Sequence, residues 1–243
     1  MSSRTEKHLN HLIGKLIVER QLIAQGDKIL IGLSGGKDSW TLCYFLSKFQ
    51  EKSPIKFTIA AVTLDVGYSE QAVHDIRTKL TELNIDYHFV TAPIQQIIEE
   101  KLTPGTSTCS LCARMRRAFL YKAAKDLGFN KIALGHHKDD FVETILMNMF
   151  YHGRIKGMPA KLKAQNGLHE LIRPLLTCEE EMIREIATEQ KLPVVTCPCG
   201  KCDLASKDRM RMKNLLKELE KKTKGVKTSI QSAAQNIIAN HMW

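Results

Sequence analysis

Apolar and polar positions along the chain switch repeatedly between a helical and a strand period. Leu9, Leu12, Ile13, Leu16 and Ile17 recur at three- and four-residue spacing, which predicts an amphipathic helix at the start. Lys28 to Leu33 (KILIGL) is a short apolar run of buried-strand length, and a helix is expected from about Asp38. A second strand is predicted at Phe57 to Leu64 (FTIAAVTL), then a polar helix around Glu70 to Leu83 and a third strand near Tyr87 to Val90. After the TPGTST loop comes a helix through Arg114 to Leu127, then a fourth strand at Lys131 to Leu134 and a helix from about Asp139 to Phe150. Strands alternating with helices predict an α/β fold with a parallel sheet covered on both faces. The expected division is an N-terminal helix over 1–25, an α/β domain over 26–200 and a basic helical extension over 201–243.

A chain of 243 residues with 43% hydrophobic content has ample material for a core. No run approaches the roughly 18 apolar residues that cross a bilayer, and the first residues lack the apolar core of a signal peptide. A cytoplasmic protein without membrane contact is therefore expected. The net charge of +10 suits a polyanionic partner such as RNA. Seven cysteines in a chain without an export signal read as metal or redox ligands better than as disulfides.

Ser34-Gly35-Gly36-Lys37-Asp38-Ser39 sits where the first strand turns into the next helix. Glycines there let backbone N–H groups approach a phosphate, and the helix N-terminus adds partial positive charge. Lys37 contributes a point charge, and Ser34 and Ser39 contribute hydroxyls. It is not a Walker A loop, which needs glycine where this chain has Ile31 and Ser or Thr where it has Asp38. SGGKDS resembles the PP-loop of the adenine nucleotide alpha-hydrolase-like ATPases. That resemblance implies a doubly wound, Rossmann-like parallel sheet and cleavage of ATP between its α and β phosphates.

Gly135-His136-His137-Lys138-Asp139-Asp140 follows the fourth strand, beside the first loop if ligands sit at the carboxyl ends of strands. Asp139 and Asp140 are placed to hold Mg²⁺ or to position a phosphate-bound lysine, although one carboxylate here also suits a helix N-cap. The turn looks like the GHHxDD signature of tRNA-modifying PP-loop enzymes. Asp65, in LDVGYS at the end of the second strand, is a further candidate for nucleotide contact.

Cys109 and Cys112 form a Cys-x-x-Cys pair just before a basic helix carrying Arg114, Arg116 and Arg117, and Cys197, Cys199 and Cys202 cluster far downstream. Spacing alone leaves open a four-cysteine zinc site, an iron–sulfur cluster and a redox dithiol. Cys43 and Cys178 are isolated and read as packing residues. CSLCARMRR, KIALGHHKDDFVETILMNMFYHGRIKGMP and QSAAQNIIANHMW are similar to the tRNA 2-thiocytidine synthetases, from about Leu9 to the C-terminus. The resemblance implies ATP-dependent thiolation of a cytidine in tRNA, at position 32 of the anticodon loop. It also implies a [4Fe–4S] cluster on three cysteines, with one iron open to bind sulfide. Cys109 and Cys112 match the family's first pair. Cys202 is the expected third ligand and Cys199 its rival, because Cys197 is extra and shifts the alignment.

ATP, Mg²⁺ and the cluster are thus the expected cofactors. Lys37, Asp38, Asp139, Asp140 and Arg116 are the expected catalytic residues, with Arg116 holding phosphate or lying on a solvated helix face. tRNA, a sulfur donor such as a cysteine desulfurase and a second copy in a homodimer are the expected partners. Residues 201–227 hold ten Lys or Arg against four acids, and that tail is the expected RNA surface. Two other readings stand beside this one: a zinc-stapled PP-loop tRNA-modifying enzyme that uses another substrate or a persulfide sulfur, and a non-catalytic zinc-stapled RNA-binding module.

Overall fold

The computed structural model of the chain describes residues 3–101, 108–164, 167–195 and 207–236. It opens with α1 (Arg4–Glu19), where the Ser3 hydroxyl caps the helix by accepting the Glu6 N–H at 3.0 Å. β1 (Lys28–Gly32), α2 (Lys37–Lys52), β2 (Thr58–Asp65), α3 (Glu70–Glu82) and β3 (Asp86–Thr91) follow in alternation. Next come α4 (Ile94–Lys101), α5 (Thr108–Asp126), β4 (Lys131–Ala133) and α6 (Lys138–His152). β5 (Lys161–Lys163), β6 (Glu170–Ile172), α7 (Glu180–Glu189), α8 (Lys207–Lys222) and α9 (Val226–Ala233) complete the series.

The strands form one sheet in the order β3-β2-β1-β4-β6-β5, parallel throughout except that β5 runs antiparallel to β6. The chain winds outward from β1 to β3, then crosses back to β4 on the other side. This is the doubly wound arrangement, and the reversal between β1 and β4 opens a crevice at their carboxyl ends.

The strand period of two sorts side chains into two cores. Ile29 and Ile31 of β1 with Ile59 and Ala61 of β2 face α1, α2, α6 and α7. Leu30, Ala60, Val62 and Ile132 face the other way, under Leu120, Ala123 and Ala124 of α5. Leu9, Ile13 and Leu16 of α1 and Met212 and Leu216 of α8 join the first core, so these two helices pack on the same layer.

Where the structure departs from the sequence expectation, the physical reason is visible. α5 starts at Thr108 rather than Arg114, so Cys109 and Cys112 stand on the helix and not in the loop before it. Leu111, Ala113 and Met115 are strong helix formers and carry the helix back over the Cys-x-x-Cys pair. α4, β5, β6 and α7 were not expected. β5 (KLK) and β6 (ELI) have 3 residues each, and charged residues interrupt them, whereas the equally short β4 runs on through Leu134 as an apolar stretch.

Candidate active site at the carboxyl edge of the sheet

β1 ends by delivering Ser34 to Ser39 to the crevice. Gly35 has φ +80°, a conformation that penalises any Cβ, and a Cβ there would also meet the Val195 carbonyl oxygen at 3.3 Å. Gly36 is the N-cap of α2 and brings no side chain to cap it, so the first-turn N–H groups are presented as an anion site. The Ser34 N–H donates to Ser39 Oγ at 3.2 Å, and that hydroxyl donates to the Gly36 carbonyl at 2.9 Å. The Tyr68 hydroxyl donates to the Ser34 carbonyl at 2.9 Å and fixes the loop from the β2 side.

The turn after β4 crosses directly against this loop. A Cβ on Gly135 would lie 2.9 Å from the Asp38 carbonyl carbon and the Ser39 nitrogen, so only glycine lets the two turns meet. His137 caps α6: its Nδ1 accepts the Asp140 N–H at 3.5 Å, and Asp140 Oδ2 accepts the His137 N–H at 3.2 Å. His137 Nε2 also faces Asp38 Oδ1 at 3.5 Å. Burial, followed by the Arg173 guanidinium, pushes the His136 imidazole down to about 4. Arg173 Nε–H donates to His136 Nδ1 at 3.2 Å, which leaves the neutral ring's proton on Nε2.

Lys37 Nζ lies 3.0 Å from Asp38 Oδ1 and 3.1 Å from Glu180 Oε1. Burial works against the ammonium, but the Asp38 and Glu180 carboxylates outweigh it and raise its pKa. Glu180, whose carboxyl burial alone would push up, is drawn down to about 2 by Lys213 at 2.7 Å and by Lys37. Asp139 does not reach the cleft wall. Its Oδ2 accepts the Glu180 N–H at 2.8 Å and its Oδ1 pairs with Lys227, which hold it ionised against the cost of burial. Asp140 faces the cleft and pairs with Arg209 at 3.0 Å.

These turns enclose a cleft of about 660 Å³, a size ordinary for a ligand site. Ser34, Asp38, Ser39, Gly135, His136 and Asp140 line its floor, and Arg116 and Arg117 of α5, Arg173 just after β6 and Arg209 of α8 converge on it. Asp65 instead accepts the Gly67 N–H at 2.9 Å and shapes the turn that carries Tyr68, while its neighbours Leu64 and Val66 touch the cleft.

α5 returns antiparallel to the strands, as a crossover helix must, so its amino end overhangs the carboxyl edge. Cys112 stands there, one turn before Arg116. The Cys109 side chain and the cysteines at 197, 199 and 202 lie outside the described residues, so the expected ligands Cys202 and Cys199 have no placement. The chain on either side of that segment is placed: Val195 N–H donates to the Gly35 carbonyl at 2.9 Å, and α8 resumes at Lys207, two residues before Arg209 on the cleft wall. Among the described residues no three His, Cys, Asp or Glu gather to hold a metal. Cys43 and Cys178 are buried, and burial pushes both thiols up, Cys178 to about 12, as expected of packing residues.

Sequence reasoning missed Arg173 and Glu180. Each follows an element or turn too short to read, and only Glu180 had a signal, as an acidic residue at the start of an unread helix.

The sequence matches the PP-loop domain family over residues 1–219. It is 42% identical to the tRNA-cytidine(32) 2-sulfurtransferase of Pelobacter propionicus, across 97% of this chain and 88% of that protein. With the enzyme of the same name from Geobacter sulfurreducens it shares 43% identity, across 95% and 90%. Among solved structures, the U34-tRNA thiolase NcsA from Methanococcus maripaludis, solved with its [4Fe–4S] cluster, has the same fold. Its TM-score is 0.76 at 23% identity, over 95% of this chain and 78% of that one. The NH₃-dependent NAD synthetase from Campylobacter jejuni shares the fold more distantly, with a TM-score of 0.54 at 19% identity over 99% and 95%.

Proposed function

Because this chain belongs to the PP-loop domain family, and within it to the tRNA-cytidine(32) 2-sulfurtransferases, we propose that it uses ATP to replace the C2 oxygen of a tRNA cytidine with sulfur. The observation that carries the reading beyond family membership is the shared cleft: the SGGKDS loop, the GHHKDD turn and the cysteine-bearing end of α5 all open on one edge of the sheet.

The C2 oxygen is a poor leaving group and must first be activated. Its attack on the α-phosphorus of ATP breaks the bond to the bridging oxygen and releases pyrophosphate, leaving the base adenylated. Gly35, Gly36 and the amino end of α2 take the pyrophosphate, and Lys37 turns from Glu180 to its developing charge. Asp38 Oδ1 is buried without a hydrogen bond beyond its ion pair, and with Asp140 it offers the one or two carboxylates by which Mg²⁺ is held on nucleotide phosphates. His136 Nε2–H and Arg116 provide donors for phosphate oxygens. Sulfur then takes the place of the oxygen at C2, and AMP carries that oxygen away. A [4Fe–4S] cluster on Cys109, Cys112 and Cys202, with Cys199 as the rival, would supply the sulfur.

Incubation with ATP and an unmodified tRNA transcript is expected to yield AMP, pyrophosphate and 2-thiocytidine by mass spectrometry of the digested RNA. Lys37→Ala should lower the rate by about 10² or more. ADP and free phosphate as products would refute the reading. The cluster is tested by its colour: protein purified without air should be brown with about four irons, and Cys112→Ala should be colourless. A colourless wild type holding zinc would leave a persulfide as the sulfur source.

A further inference from the structure

The end of α6 and the segment returning from it carry a surface that the nucleotide site does not use. Between Glu143 and Glu170 the chain has no Asp or Glu, and Arg154 and Lys156 follow the end of α6; of the two lysines further on in β5, Lys161 pairs with Glu170 at 3.4 Å. In the same stretch Phe150 is 55% exposed, Tyr151 45% and Ile155 50%, so large apolar groups face solvent together. Exposed rings set among cations, with no carboxylate between them, match the chemistry of RNA. Rings stack on any base, and cations take the phosphates.

The surface is held in shape rather than left loose. Gly153 ends α6 in the left-handed region at φ +58°, and the Arg154 N–H donates to the Asn148 carbonyl at 3.0 Å. Asn148 Nδ2 donates to the Lys156 carbonyl at 2.6 Å. A Cβ on Gly157 would lie 2.7 Å from the Phe141 ring, so the returning chain presses against α6 as only glycine can. The next residue, Met158, lines the cleft, which makes the patch continuous with the candidate active site.

We propose that Phe150, Tyr151, Arg154 and Lys156 form an RNA-binding platform that stacks and steers the tRNA towards the cleft; this rests on the tRNA-thiolation reading above. A second copy of the chain would also cover the rings. Across a two-fold axis, however, this patch would set cations against cations with no acid to answer them, which disfavours that occupant.

The test compares tRNA binding by wild type, Phe150→Ala/Tyr151→Ala and Arg154→Gln/Lys156→Gln over a range of salt. The aromatic pair should weaken binding roughly tenfold or more at unchanged salt slope. The basic pair should reduce the log–log slope by about 0.9 or less per contact. Phe150→Trp should keep wild-type affinity, and all variants should bind ATP and melt as wild type does. Wild-type tRNA affinity in both double variants would overturn the platform. So would a loss of dimer at unchanged RNA affinity, which would make the patch a self-interface. A wild type that neither binds nor thiolates tRNA would instead remove the functional reading on which the platform rests.

Discussion

Gly135 contributes by what it lacks: with its Cβ position 2.9 Å from the backbone of Asp38 and Ser39, any side chain would wedge the two turns at the cleft apart. Gly135→Ala should cost about 1–3 kcal/mol through overpacking and raise the KM for ATP more than it lowers the melting temperature. A variant with wild-type KM would show that the turns can separate without consequence. Glu143, buried on α6 beneath Asp140, carries a pH signature. Burial pushes its carboxyl up to about 7, only partly offset by Arg209 at 3.8 Å. In an unfolded chain a glutamate titrates near 4.3, so between about 4.3 and 7 the folded protein holds a proton that the unfolded chain has released. Stability therefore falls as pH rises through that window, by on the order of 3 kcal/mol, and the loss is complete above it. Glu143→Gln should match wild type near pH 4 and exceed it at pH 8 in thermal melts; a gap that does not change with pH would contradict this. The SGGKDS loop stood out because glycine, charge and position after a strand all pointed one way, whereas the GHHKDD turn stood out chiefly by its resemblance to a family signature. Glu180 and Arg173 were not, because each is a lone residue whose role exists only after folding brings Lys37 and His136 to it.

The basic C-terminal helices read along the sequence as one RNA-facing surface, and the fold divides them. Arg209 pairs with Asp140, Lys213 with Glu180 and Lys227 with Asp139, so α8 and α9 clamp the GHHKDD turn and the start of α7. Lys217, Lys221, Lys222 and Lys224 remain exposed. Neutralising Lys207, Arg209, Arg211 and Lys213 together should therefore weaken ATP binding as well as RNA binding. Neutralising Lys217, Lys221, Lys222 and Lys224 should flatten the salt dependence of tRNA binding alone, as nucleotide and RNA titrations on the same variants would show. Lys227→Met strands the buried Asp139 carboxylate without its counter-ion, and should cost about 3–5 kcal/mol where exposed Lys222→Met costs about 0.5 or less. Denaturant titrations of the two variants check this, and equal midpoints would mean that α9 does not hold the turn. None of these pairings is visible in the chain, since a run of lysines carries no record of which carboxylates it will meet.

At the scale of the molecule, the winding of the sheet was legible wherever strands were long enough to show their character, as Thr58–Asp65 is. It faded where a short strand also lacked an apolar run, as at Lys161–Lys163, while the equally short Lys131–Ala133 was read because Leu134 extends it. The reversal between β1 and β4 then places the SGGKDS loop and the GHHKDD turn on one rim without further instruction. The hydrogen bond from Val195 to Gly35 gives this layout a consequence in time. The phosphate loop emerges early in synthesis, but the backbone that closes it lies 160 positions later, the difference between residues 195 and 35. At about 5–20 residues per second, a nascent chain waits roughly 8–30 s before the loop can be closed, and longer for the clamp of α8 and α9. The cleft is thus among the last parts to assemble, and a prematurely released chain carries the early loop without the backbone that closes it.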